Sequence, residues 1–344
     1  MLVGFLANAA QNRVTVMTYN LENLFDTVHD EGKEDYTYMP LSVKRGAMRD
    51  VIQSYCRRLP AKAWRDQCFD WDYSEEVVHE KMRSLTGVLR EVQGQYGPGP
   101  DVLILTEIEN VNVLRMWVEN YLSDFGYYGY LIEGPDARGI DQAVLTRLRP
   151  IDAEPPQYFG FPETGSTDIL KARRGYLNVN LWLPDGMPLS LFAMHLPSPG
   201  SPRELREAAL YGLNDLKHQL PHGRVVLAGG DINVTSAEED RYAPIANIIY
   251  PEWMRVELDC TGCRGTYYYP RNKEWSFLDR IFVARNTQPI GQTQWKIDRN
   301  SVRVVDSAYG QTDAYGRPIR FDPTNSSGVV GISDHLPLVF DLYK

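Results

Sequence analysis

Brief apolar runs, each followed by a polar outcrop, set the pattern of this chain. Residues 14–17, 102–105, 177–183, 189–194, 225–228, 276–284 and 336–342 are short, rich in β-branched or aromatic side chains, and bounded by turn residues. Strands packed on both faces read this way. Two segments have helical spacing instead. Ser74 reads as an N-cap with Glu75 and Glu76 in the first turn, followed by Val78, Met82, Leu85, Leu89 and Val92 and closed by Gly94 and Gly97. Ser201-Pro202-Arg203-Glu204 combines a capping box with proline at the first helical position, ahead of Leu205, Ala209, Leu213, Leu216 and Leu220. Residues 29–72 are polar, aromatic and irregular, too long for an ordinary connector, and read as a surface excursion. Two stacked sheets with helices outside would satisfy every run, although periodicity by itself leaves α/β and α+β both open.

No repeat, low-complexity tract or linker divides the 344 residues, so residues 11–344 read as a single domain. Residues 1–10 are too short to span a membrane and lack a basic n-region, yet Ala7-Asn8-Ala9 has the small-x-small pattern of a cleavage site. They read as the tail of an export signal or as an apolar arm. The net charge of −9 argues against a long basic groove gripping many phosphates. It does not exclude an enzyme acting on phosphates, because a bound divalent cation reverses the local field. The four cysteines fall as local pairs, Cys56 with Cys68 and Cys260 with Cys263, which reads as two disulfides formed in an oxidising compartment. A four-cysteine zinc site would need two close-spaced pairs, and the first pair is flanked by Arg57, Arg58 and Arg65.

The outcrops carry the candidate chemistry, since loops leaving a rigid scaffold are where it concentrates. Glu107 is a hard oxygen donor suited to Mg²⁺ or Mn²⁺; Glu109, two residues on, competes with it. Asp231 and Asn233 share a face of an extended segment, after Gly229-Gly230. Asp334 and His335 point to opposite faces just before the last strand, and Asp279, a carboxylate inside an apolar strand, needs a partner that His335 could supply. Read singly, these are a solvated strand-end Glu, an Asx-turn and a polar loop. Arg138 and Asp141 border a Gly-rich turn, and Lys171-Ala172-Arg173-Arg174 precedes a strand; Arg138 and Arg174 are the candidates for holding substrate phosphate. Tyr267-Tyr268-Tyr269 with Trp275 could stack bases or pack, and packing is the plainer reading. His29, His79, His218 and His222 read as ordinary exposed residues.

Taken in order, Tyr19-Asn20, Thr106-Glu107, Met194-His195-Leu196, Gly230-Asp231-Ile232-Asn233, Leu278-Asp279-Arg280 and Ser333-Asp334-His335 resemble the motifs of the endonuclease/exonuclease/phosphatase superfamily, the DNase I-like metal-dependent phosphoesterases. A narrower likeness to bacterial, often exported, nuclease-like members runs through residues 19–26 and 134–141. The resemblance implies a four-layer α/β/β/α sandwich of two packed mixed sheets with outer helices. It makes Glu107 the principal metal ligand with Asn20 beside it and Asp334 completing the site. Asp231 would position and deprotonate the attacking water, Asn233 would meet the phosphoryl oxygens, and Asp279 would hold His335 as an imidazolium. His195 would face the phosphate from the other side. Ile232 stands where Phe is usual, and Met194 where Asn is common. The expectation is a Mg²⁺- or Mn²⁺-dependent phosphodiesterase, a nuclease of weak sequence preference on DNA or RNA. It would be periplasmic or secreted by a bacterium, without a membrane span or stable protein partner. The alternatives are a lipid or inositol phosphate esterase of the same fold, a DNA-repair role and an inactive binding module.

Overall fold

A computed structural model describes residues 12–162, 174–285, 295–324 and 330–344. Residues 1–10 and the candidates Lys171 and Arg173 lie outside the described residues.

Period-two alternation sorts the strand side chains into three cores. In the strand Arg13–Leu24, Val14 and Val16 turn toward the opposing sheet, while Met17, Tyr19 and Leu21 turn toward helices. Val102 and Ile104 join the same inter-sheet core, and Leu103 and Leu105 the helical side. In the strand Pro188–His195, Leu189, Leu191 and Ala193 complete the inter-sheet core, whereas Phe192 and Met194 pack outward with Ala209, Leu210 and Leu213 of a second helical layer. Helices, sheet, sheet and helices therefore stack as the α/β/β/α sandwich.

The first sheet has six strands in the order Lys296–Val304, Leu338–Tyr343, Arg13–Leu24, Val102–Ile108, Asp141–Thr146 and Tyr128–Leu131. The second runs Trp253–Arg255, Asp279–Ala284, Val225–Asp231, Pro188–His195, Gly175–Trp182 and Arg149–Pro150, with Gln157–Gly160 also paired to Gly175–Trp182. Each sheet contains a parallel pair, Arg13–Leu24 with Val102–Ile108 and Pro188–His195 with Val225–Asp231. Parallel neighbours require crossovers. The helices Glu75–Arg90 and Arg203–Gln219 lie in them, so both pairs deliver their C-terminal ends to one edge.

Both predicted helices form, but their starts differ in chemistry. The Ser74 hydroxyl contacts the Glu76 carboxylate rather than a backbone N–H. Pro202, not Ser201, holds the cap position of the second helix, and Arg206 donates instead to the carbonyls of Pro197, Ser198 and Ser201. The excursion is more regular than its sequence implies: it holds the helices Leu41–Lys44, Arg49–Arg58 and Lys62–Asp70. None carries a side-chain N-cap, so the usual boundary signals are absent. Met39, Ile52, Tyr55, Cys56 and Cys68 form its own small core, and the Cys56–Cys68 disulfide joins its two longer helices. A second disulfide links Cys260 and Cys263. The excursion is strapped to the sandwich: Lys33 Nζ donates to the carbonyls of Gly134 and Asp136, both at 3.0 Å, and Glu34 N–H donates to Ala137 O. Among the described residues, no helix is long and apolar enough to cross a membrane.

Candidate active site

Register alone sets several candidates side by side. In the second sheet His195 pairs with Asp231, and Asp231 pairs with Asp279. In the first sheet Asn20 pairs with Thr106, one residue before Glu107. There the ladder shifts between Thr106 and Ile108, and Glu107 takes a positive φ of 60°, so a bulge re-aims its carboxylate out of the strand's alternation. Glu22, Asn23 and Asn233 share this left-handed geometry, at φ 49°, 62° and 54°. Each such residue costs on the order of 1–3 kcal/mol, and such strain concentrates at functional sites. Gly230 is required by its neighbour strand rather than by a ligand: at φ 137° a Cβ would lie 1.9 Å from the Met194 carbonyl oxygen.

One hydrogen bond joins the sheets at this edge. Asn20 Nδ2 donates to Asp231 Oδ2 at 3.0 Å, while Asn20 Oδ1 accepts from Glu22 N–H. Asn233 N–H donates to Asp231 Oδ1 and Asn233 Nδ2 to Leu196 O. His335 Nδ1 lies 2.7 Å from Asp279 Oδ2, and Asp279 is fully buried. His335 Nε2 stands 3.9 Å from both Asp231 Oδ2 and Asp334 Oδ1, and His195 Nε2 stands 3.5 Å from Asp231 Oδ2 and 3.8 Å from Glu107 Oε1. Asp231 therefore sits between two imidazoles.

The two histidines are driven to opposite charge states. Burial opposes charging His335, but the Asp279 carboxylate, helped by Asp231 and Asp334, overcomes it and raises the imidazole well above its ordinary value. For His195, burial is reinforced by Arg174, Arg138 and His335, and its pKa falls well below the ordinary value. Its Nδ1 is buried without a hydrogen-bond partner among the described residues. A buried lone pair is cheaper to strand than a buried N–H, so the proton belongs on Nε2. Asp231 is raised above the usual carboxylate range by burial, with Asp279 and Glu107 adding to the rise and His335 and Asn20 opposing it.

On the rim, Asp136 organises the arginines. Arg174 Nε donates to Asp136 Oδ2 at 2.9 Å and Arg174 Nη1 to Leu196 O, leaving Arg174 buried. Arg138 donates its backbone N–H to Asp136 Oδ1, and its side chain is 45% exposed. Asp141 accepts from Gly134 N–H and is pushed by burial to about 7. Glu109 is turned away from Glu107: the bulge breaks the extended geometry that would have put them on one side, and Glu109 Oε2 accepts from Asp26 N–H. Burial, then the charge of Asp26, pushes it to about 9. Tyr267 packs its ring on His335, with centroids 4.8 Å apart.

Three participants carried little signal in the sequence. Glu22 accepts from Arg320 Nε, Phe321 N–H and Asp334 N–H, and the buried Lys81 donates to the Glu22 carbonyl. Lys81 was discoverable, because a lysine between Val78 and Met82 stands on the apolar stripe of its helix. Arg320 arrives on a loop with no pattern of its own. Glu107, Asn20 and Asp334 offer hard oxygens, a set of donors that fits a magnesium-like ion. Among the described residues, no group of three or more His, Cys, Asp or Glu side chains forms a ready cage.

The sequence model of the Endonuclease/Exonuclease/phosphatase family matches residues 56–335. Among solved structures, humanized D. rerio TDP2 carrying 14 mutations is 14% identical, with 97% of this chain and 100% of that one covered at a TM-score of 0.56. An endonuclease/exonuclease/phosphatase family protein from Bacteroides thetaiotaomicron is 15% identical over 97% and 98% of the two chains, with a TM-score of 0.54. D. rerio TDP2 complexed with single strand DNA product is 15% identical over 96% and 99%, also with a TM-score of 0.54. At these identities the likeness is one of fold. No curated protein matches the chain.

Proposed function

Because this chain belongs to the Endonuclease/Exonuclease/phosphatase family, we propose that it hydrolyses phosphodiesters with Mg²⁺ or Mn²⁺, acting on DNA or RNA with little sequence preference. The observation that carries this reading is Asp231 Oδ2 standing between two imidazoles, 3.5 Å from His195 Nε2 and 3.9 Å from His335 Nε2. A metal ion held by Glu107, with Asn20 and Asp334 beside it, would neutralise charge on the phosphoryl oxygens. Asp231 aligns a water opposite the leaving oxygen and takes its proton as the new P–O bond forms; the old P–O bond breaks and the leaving oxygen takes up a proton from solvent. His335, kept cationic by Asp279, faces the phosphoryl oxygens. His195 serves as a hydrogen-bond donor through Nε2–H rather than as a proton source, since its charged form is disfavoured. Asn233 is held by Leu196 O and steadies Asp231 through its own N–H. Arg138 offers an exposed guanidinium to flanking phosphates, and Arg174 fixes Asp136 behind it.

The D. rerio TDP2 complex with a single-stranded DNA product supports nucleic acid as the substrate. Two disulfides support action outside the reducing cytosol, in the periplasm or after secretion. Purified protein with Mg²⁺, Mn²⁺, Ca²⁺ or chelator is to be tested on supercoiled plasmid, single-stranded DNA, RNA and a chromogenic phosphodiester. Metal-dependent cleavage of a polynucleotide is expected. Activity confined to inositol or lipid phosphates would move the substrate assignment, and inertness on all of them would leave a binding module.

A further inference from the structure

Beside the candidate metal ligands the chain carries a cation of its own. Glu22 and Asp334 lie together, the Asp334 backbone N–H donating to Glu22 Oε2 at 2.9 Å and one guanidinium reaching both carboxylates. Two carboxylates so close repel each other, and such a pair ordinarily draws a divalent ion. Here Arg320 Nε lies 2.7 Å from Glu22 Oε1 and 3.4 Å from Asp334 Oδ2. Although its side chain is 60% exposed, its backbone is fixed on both sides. Phe321 is buried and its N–H donates to Glu22 Oε2, and at Gly331, where φ is 74°, the chain passes so tightly that a Cβ would lie 2.0 Å from the Arg320 carbonyl oxygen. From beneath, the buried Lys81 holds the Glu22 carbonyl and stands 4.1 Å from the Phe321 ring centroid. A guanidinium keeps its charge at any working pH and has no ligands to exchange.

We propose that Arg320 is a built-in substitute for a second metal ion: it holds Glu22 and one oxygen of Asp334, and the site takes a single divalent ion on the Glu107 side. This rests on the metal-dependent reading above and specifies the ion count that reading leaves open. It makes Arg320 a positioning residue, acting through Asp334.

Mn²⁺ binding, followed by calorimetry and electron paramagnetic resonance, tests it without turnover. Wild type is expected to bind one Mn²⁺ with an uncoupled spectrum, lost in Glu107→Gln. Arg320→Gln, with folding checked by circular dichroism, is expected to bind two, spin-coupled through a shared carboxylate, and the added Glu22→Gln change to return it to one. Arg320→Lys, which keeps a positive charge there, guards against misfolding of the glutamine variant and should stay at one. Two coupled ions in wild type, or one ion in folded Arg320→Gln, would overturn the role of Arg320 while leaving metal dependence intact. No Mn²⁺ bound by wild type would remove the metal-dependent reading and this inference together.

Discussion

At the scale of single residues, the site is a set of environments rather than a set of side chains. Glu107→Ala and Asp231→Ala are each expected to lower activity by at least about a hundredfold in folded protein, since charge placement and water alignment are transition-state contributions of kcal/mol size. Excess Mn²⁺ should partly restore the Glu107 variant, which lacks only a ligand, and should not restore the Asp231 variant. Near-wild-type rates in either would end the mechanism. The pH profile follows from the two raised groups. Asp231 must lose a proton that burial helps it keep, so activity should climb at a pH above the usual carboxylate range. His335 must hold a proton that Asp279 helps it keep, so the alkaline decline should begin well above 6.5. Asp279→Asn removes that support; the decline should move to lower pH and most activity should be lost, and an unmoved alkaline limb would show Asp279 to be structural. The motif residues were legible because each carries a polar group out of an apolar run. The left-handed turn at Glu107 and the charge difference between the histidines were not, since both depend on neighbours from distant segments.

Among elements, the helical excursion braces the rim of the site from outside the sandwich. Its strap fixes residues 134–137 from the outside, next to Arg138, so Lys33→Met should release that loop. A rise in KM with little change in kcat is expected, because phosphate holding would suffer and Asp231 would not; equal loss in both would place Lys33 nearer the chemistry. The Cys56–Cys68 bridge closes a twelve-residue separation. Replacing both cysteines by serine should cost up to about 3 kcal/mol of stability, read by denaturant titration. Four free thiols in protein purified without reductant would contradict both bridges and the case for export. The long helices and the strands were readable from spacing. The three short helices were not, because Arg49–Arg58 and Lys62–Asp70 are held by a private core and a crosslink rather than by caps.

For the whole molecule, Val14, Val16, Leu189 and Leu191 are buried together because two sheets face each other; periodicity left α/β and α+β open, and the four layers were implied by the resemblance of the motifs. Which strand neighbours which was not readable: the pairing of His195 with Asp231, and of Asp231 with Asp279, is a matter of long-range register. A net charge of −9 leaves little surface for phosphate contacts beyond those at the rim. Binding to duplex DNA should therefore weaken only shallowly with salt, with a log–log slope of about −2 to −3 for two or three contacts. A slope several times steeper would mean that many more phosphates are contacted and would overturn this estimate.

The hydrogen bond from Asn20 to Asp231 crosses from one sheet to the other, so each sheet owns only part of the candidate site. A nascent or partly folded chain has no working site, whatever segments of it have already formed.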